Sequence, residues 1–137
     1  MMKSYIEEKL NSGINHFNGI NHFKNNSNVL YTKEEAIRVR TKYPDRIPII
    51  VNRSDSAGVD VPYIDKHKFL VPSDLTMGQF QYVIRKRLTL TPDKALFIFV
   101  NGEIAPSSCM MSTIYEDSRD KETQFLYVTY AMENTFG

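Results

Sequence analysis

The chain has 137 residues, 42% of them hydrophobic, and its 17 lysines and arginines nearly balance its 16 aspartates and glutamates. This length predicts one domain with a single core, and the net charge of +1 argues against bulk binding to nucleic acid. The sequence has neither the roughly 20-residue apolar run of a membrane-spanning helix nor the apolar core of a secretory signal at its start.

Residues 1–31 form an Asn-rich extension with an internal repeat, in which residues 13–18 read GINHFN and residues 19–24 read GINHFK. Because Asn and Gly disfavour helix, we expect this extension to be loose or only partly helical. Its paired histidines, His16 and His22, suggest a metal site. They have no nearby cysteine or carboxylate, so we interpret the stretch as low-complexity sequence and expect no metal.

The first predicted helix follows Thr32. The run Thr32-Lys33-Glu34-Glu35 is a capping box, in which Thr32 caps the helix and the Glu35 side chain bonds back to it. Basic residues up to Lys42 suit the C-terminal end of the helix dipole. Pro44 then stops the helix.

Four apolar runs and two further helical patterns follow. Asn101-Gly102 is a hairpin turn signal after an almost wholly apolar run that predicts a central strand. A polar, flexible tail ends the chain. The predicted strands cover residues 47–51, 67–71, 95–100 and 125–130, and the predicted helices cover residues 76–88, capped by Thr76, and 112–118.

From residue 46 the order is strand, strand, helix, strand, short helix, strand. One sheet covered by a long helix satisfies this order, so the sequence predicts an α+β fold. A hairpin, a helix across the sheet and a return strand form the ubiquitin-like β-grasp, here with additional N-terminal helices. We expect one domain over residues 32–137.

The motifs of common enzymes are absent: there is no nucleotide-binding G-x-x-x-x-G-K, no G-x-S-x-G, no H-E-x-x-H and no C-x-x-C. The one cysteine, Cys109, lies in a Ser/Met-rich loop and no local motif pairs it with a base. Glu116 and Asp117 fit a helix surface. We therefore expect no enzyme and no cofactor. A single cysteine also indicates a reducing compartment, the cytosol or the nucleus, and we expect a cytoplasmic protein.

Several stretches together identify a family. Residues 42–48 read KYPDRIP, residues 69–80 read FLVPSDLTMGQF, residues 84–87 read IRKR, residues 95–101 read ALFIFVN, and the chain ends in Phe-Gly. Over about residues 32–137 the chain resembles the autophagy ubiquitin-like modifiers, the group of the GABA-receptor-associated protein and the microtubule-associated light chain.

The resemblance implies that the Gly137 carboxylate is joined by an amide bond to phosphatidylethanolamine, through a thioester relay of activating and conjugating enzymes. Glycine has no side chain to obstruct a narrow enzyme channel. The resemblance also implies a deconjugating cysteine protease and residence on the autophagosome membrane. The alternative is a non-lipidated, soluble adaptor that binds motif peptides or tubulin.

The resemblance further implies binding of aromatic-x-x-aliphatic motifs in cargo receptors and adaptors. If the strand over residues 67–71 is a sheet edge, a peptide can add to it, while pockets read alternate side chains. Two buried anchors suggest a Kd on the order of micromolar. By the family pattern, the aromatic pocket uses Glu35, Val39, Pro48, Lys68, Leu70 and Phe125; the aliphatic pocket uses Phe69, Val71, Pro72, Leu75, Phe80, Val83 and Ile84; and Arg46, Lys66 and Arg87 attract flanking acids.

These residues also have structural interpretations. Leu70, Val71, Phe80 and Ile84 fit an ordinary core. Lys66 and Lys68 would protect an exposed strand edge from aggregation. Glu35 belongs to the capping box, where its side chain would be occupied.

Overall fold

The computed structural model describes residues 31–57 and 60–132. The paired histidines His16 and His22, with the rest of the predicted extension up to residue 30, and the predicted flexible tail with Gly137 lie outside these residues. In chain order the elements are α1 (Lys33–Lys42), β1 (Arg46–Arg53), β2 (Lys68–Pro72), α2 (Met77–Leu88), β3 (Leu96–Val100), β4 (Glu103–Ile104), α3 (Met111–Ser118) and β5 (Leu126–Met132).

The two longer helices begin at threonine caps, as the sequence predicts. Thr32 Oγ1 accepts the Glu35 backbone N–H at 3.2 Å. Thr76 and Gln79 form a complete capping box: Thr76 Oγ1 accepts the Gln79 N–H at 3.2 Å, and the Gln79 side chain accepts the Thr76 N–H at 2.9 Å. Each helix therefore has its first turn fixed by its own sequence.

The sheet has five strands in the order β2-β1-β5-β3-β4. The first and last strands, β1 and β5, lie side by side and parallel, whereas β1–β2, β3–β5 and β3–β4 are antiparallel. The turn at Asn101 and Gly102 has φ angles of 52° and 81°, the left-handed pair that a two-residue hairpin requires. This topology is the predicted β-grasp, with α1 added before β1.

Two features of the sheet differ from the sequence prediction. The strand β4 was not predicted, because its two exposed residues carry no apolar pattern. The apolar sequence of β3 predicted that this strand is central in the sheet, but β3 is second from an edge. Its alternate residues Phe97 and Phe99 are only half-buried. The centre of the sheet is occupied instead by β5.

The sheet buries both faces. A main core lies on the α2 face, where Phe69 and Phe80 meet edge to face with ring centroids 5.9 Å apart. A smaller cluster lies on the α1 face and contains Ala36, Val39, Ile50, Leu70 and Phe125. Because successive residues of a strand point to opposite faces, β1 and β2 each contribute to both clusters. Within the described residues, no helix has the length and apolar character needed to cross a bilayer.

Candidate functional site

The candidate site is the outer edge of β2, the strand at one end of the sheet. On its inner side β2 pairs with β1, and Phe69 lies opposite Ile49 and Val71 opposite Ile47. Backbone hydrogen bonds at both ends show which residues of β2 bond to β1. Val51 N–H donates to His67 O, and Ser73 N–H donates to Asp45 O, each at 2.8 Å.

In an antiparallel pair, every second residue directs its N–H and C=O to the partner strand. The backbone groups of His67 and Ser73 form hydrogen bonds with β1 or the residue next to it. Phe69 and Val71 lie between them at two-residue spacing, so their backbone groups also bond to β1. Lys68 and Leu70 therefore direct their backbone groups outward. The edge offers two donors and two acceptors at the spacing that an added strand would use.

Four segments contribute the residues predicted for the aromatic pocket, and one of them is β1, where Pro48 lies opposite Leu70. Glu35 and Val39 come from successive turns of α1, Lys68 and Leu70 from β2, and Phe125 from the residue before β5. The structure thus brings these side chains together around the small cluster. All six residues of the predicted set are buried: Glu35, Val39, Pro48, Lys68, Leu70 and Phe125.

A buried ion pair lies among the residues predicted for the aromatic pocket. Lys68 Nζ donates to Glu35 Oε2 at 2.8 Å, and the two side chains are only 3% and 9% exposed. The capping-box role predicted for the Glu35 carboxylate is therefore wrong for this oxygen, because Lys68, 33 residues away in sequence, binds it instead. Lys68 also does not protect the edge as a solvated charge, since its ammonium is buried.

Tyr31 is a member of this site that the sequence interpretation missed. Its ring centroid lies 5.8 Å from that of Phe125 and 6.5 Å from that of Tyr127, and Lys68 Nζ lies 5.2 Å from its centroid. Burial raises the pKa of the Tyr31 hydroxyl, with further contributions from Tyr127 and Glu35. A sequence signal existed: an apolar residue just before an N-cap often packs back onto the first turn.

The aliphatic-pocket residues lie on the opposite face, between β2 and α2. Six of them belong to the main core, and Pro72 is buried at the end of β2. They are therefore part of the packed interior, as the structural interpretation of Phe80 and Ile84 expected. The structure places the full set along one seam: Phe69, Val71, Pro72, Leu75, Phe80, Val83 and Ile84.

The three cationic residues divide between the two ends of β2. Arg46 lies opposite Pro72 at one end. Lys66 precedes the other end, where Arg87 bonds to Asp65 at 3.0 Å. Burial, with Arg87 nearby, lowers the pKa of Lys66, and Asp65 opposes this effect. Positive charge therefore flanks the open edge on both sides.

Cys109 contributes a backbone hydrogen bond to the start of α2. Its carbonyl accepts the Met77 N–H at 2.8 Å and so fixes the start of α2, and its side chain is partly exposed. Glu116 pairs with Arg119 at 3.2 Å on the exposed side of α3. These contacts give both residues structural roles.

Comparison with known proteins gives a consistent result. Residues 31–137 match the family model described as "Autophagy protein Atg8 ubiquitin like". The chain is 56% identical over 115 residues to autophagy-related protein 8 of Mycosarcoma maydis, covering 84% of this chain and 95% of the relative. It is 55% identical over 115 residues to autophagy-related protein 8e of Arabidopsis thaliana, covering 84% and 92%.

A solved structure is also similar. The crystal structure of Trypanosoma brucei ATG8 superimposes with a TM-score of 0.73 at 41% sequence identity, covering 83% of this chain and 97% of that one. The likeness therefore extends over most of this chain.

Proposed function

The chain belongs to the Atg8 family of autophagy ubiquitin-like proteins, and on that premise we propose that it is a modifier rather than a catalyst. Its Gly137 carboxylate is joined to phosphatidylethanolamine on autophagosomal membranes. The open edge of β2 then binds receptors and adaptors through aromatic-x-x-aliphatic motifs.

The observation that carries the binding proposal is the outer edge of β2. Lys68 and Leu70 direct their backbone groups away from the sheet, and a side-chain cluster lies on each face of the same strand. A peptide added as a sixth strand would send alternate side chains to the two faces. An aromatic and an aliphatic anchor three residues apart would then reach different clusters.

Flanking charge supports the same partner class. Lys66 directly precedes β2, Arg87 of α2 bonds to Asp65 beside that end, and Arg46 lies opposite Pro72 at the far end. Acidic residues beside the motif would be attracted to these cations, which would raise the association rate more than the final affinity. The proposed partners are therefore acidic peptides with two apolar anchors.

Conjugation supplies the membrane attachment in this proposal. A phosphatidylethanolamine anchor brings two acyl chains, and at about 0.8 kcal/mol per buried CH₂ these hold a protein far more firmly than one chain does. Activating and conjugating enzymes would form the amide bond at Gly137, and a cysteine protease would reverse it. Unconjugated protein would remain in the cytoplasm.

Mass spectrometry of the membrane-associated protein tests this mechanism. We expect an ethanolamine-phospholipid adduct on Gly137 in the wild type and in Thr135→Ala, a control in the same tail. We expect Gly137→Ala to carry no adduct and to stay off membranes. Full membrane recruitment of Gly137→Ala, or recruitment of the wild type without an adduct, would leave the soluble adaptor as the better description.

A further inference from the structure

The aromatic pocket is already occupied in the free chain. Val39 is 8% exposed, Leu70 and Phe125 are fully buried, and Lys68 is 3% exposed. A groove awaiting a ligand ring would leave its apolar walls open to solvent. Among the described residues, the partly buried hydrophobic side chains packed against this cluster are Tyr31, Tyr43 and Tyr127.

Tyr31 is the one of these three that approaches the pocket in the manner of a ligand. Its ring is tilted by 59° on Phe125 and set edge-on to Tyr127. Its centroid also lies 5.2 Å from the Lys68 ammonium, which is paired with Glu35. Aromatic pairs and cations gain from these arrangements. An incoming aromatic anchor would use the same partners.

The covalent setting of Tyr31 differs from that of the pocket walls. Val39 and Leu70 lie within regular elements, whereas Tyr31 precedes Thr32, the N-cap of α1. Rotation of the Tyr31 side chain about χ1 would move its ring without breaking a backbone hydrogen bond of a helix or a strand. The ring is therefore displaceable, and the walls are not.

We propose that Tyr31 is an intramolecular occupant of the aromatic pocket, and that a receptor motif must displace its ring to bind. This inference rests on the proposed motif-binding function. The apparent affinity of a site falls by the fraction of molecules in which the site is open. An occupancy of about nine-tenths would weaken every aromatic motif by about tenfold, whatever its aromatic residue.

Peptide affinity in the full chain tests the proposal. The probes are two short labelled peptides, each with two aspartates before a Trp-x-x-Leu or a Phe-x-x-Leu motif, measured by fluorescence anisotropy. We expect Tyr31→Ala to bind both more tightly, by the same factor of up to about tenfold. Tyr31→Phe keeps the ring and should match the wild type, as should Tyr63→Ala, which removes a ring that is 77% exposed elsewhere.

With the wild type binding normally, weaker binding by Tyr31→Ala would show that Tyr31 is a wall of the pocket, and unchanged binding would show that its ring does not compete with the peptide. Either result would overturn this inference and leave motif binding standing. No binding by the wild type and Tyr31→Ala alike would overturn motif binding itself, and this inference with it.

A second measurement uses only the wild-type chain. Nuclear Overhauser contacts between the Tyr31 and Phe125 rings should be present in the free protein and disappear at saturation with the Trp peptide. Contacts that persist in the saturated complex would refute displacement.

Discussion

Lys68 Nζ lies 2.8 Å from Glu35 Oε2, and this contact joins β2 to α1 across the small cluster with both charges almost fully out of solvent. Removing one partner of such a pair leaves a buried charge without compensation. The pair therefore couples the stability of α1 to the strand that forms the binding edge.

We expect Lys68→Met to lower the free energy of unfolding by about 3–5 kcal/mol, because the Glu35 carboxylate would lose its buried partner. The double variant Glu35→Leu with Lys68→Met should recover most of that loss, since an apolar pair of similar volume needs no compensating charge. Urea denaturation of the four proteins of this double-mutant cycle gives the coupling energy.

Arg87→Met is the matched control, because its pair with Asp65 is 28% and 72% exposed. That exposed pair should contribute no more than about 1 kcal/mol. Equal losses for Lys68→Met and Arg87→Met would contradict a special role for burial.

The rate of amide hydrogen exchange should alternate from one residue of β2 to the next. The N–H groups of Phe69 and Val71 bond to β1, so they should exchange slowly, whereas those of Lys68 and Leu70 face outward and should exchange fast. Saturation with an acidic aromatic-x-x-aliphatic peptide should slow Lys68 and Leu70 selectively. The inward pair is the internal control, and protection of all four amides in the free chain would disprove an open edge.

Stability should fall as the pH rises above about 10. Burial raises the pKa of Tyr130, and hydrogen bonding to Ile64 and the charge of Arg53 oppose this effect. The folded state then holds the tyrosine proton more tightly than the unfolded state does. Stability from this group is fully present below the unfolded pKa of about 10 and is lost as the pH rises through the folded value.

Tyr130→Phe tests this behaviour. The Tyr130 hydroxyl donates to Pro62 O at 2.7 Å and accepts the Ile64 N–H at 2.9 Å. Its loss should cost about 1–3 kcal/mol near neutral pH and should flatten the decline of the unfolding free energy between pH 9 and 11. Tyr63→Phe controls for replacing a tyrosine, and an unchanged alkaline slope in Tyr130→Phe would assign the decline to other groups.

Thr89→Gly should stabilise the fold. Thr89 ends α2 in the left-handed region at φ 59°, where a β-branched side chain is strained and glycine is not. We expect the midpoint of thermal unfolding to rise, with a gain on the order of 0.5–1 kcal/mol. Thr91→Gly, two residues on, should give no such gain. A fall in stability for Thr89→Gly would show that the Thr89 side chain compensates for the strain.

The helices and strands could be predicted from sequence because their signals are local. Thr32 and Thr76 are N-cap signals that predict their helices from a single turn of sequence. The apolar runs of β1 and β5 can be recognised without knowing their partner strands. The order of elements then limited the fold to very few topologies. The two-residue strand β4 could not be predicted, because two exposed residues are too few to show an alternating apolar pattern.

The burial of the residues predicted for the aromatic pocket could not be predicted from sequence. It depends on contacts between residues that are distant in sequence. Nothing near Lys68 indicates that its ammonium is buried, because its partner is Glu35 on α1. The edge position of β2 follows from β1 pairing with β5 on its other side. Tyr31 was overlooked because it was assigned to the Asn-rich extension.

The parallel pairing of β1 with β5 has a mechanical consequence. β5 ends at Met132, lies between β1 and β3, and continues into the residues that end at Gly137. Because β2 is antiparallel to β1, its Pro72 end lies at the opposite end of the sheet from Met132. A tether at Gly137 and a load held at Pro72 would therefore pull along the strands, and the ladder bonds would run across the force. These bonds would share the load in shear rather than open one by one. We expect force spectroscopy between Gly137 and Pro72 to give a higher unfolding force than pulling between β3 and β4, where two residue pairs bear the load.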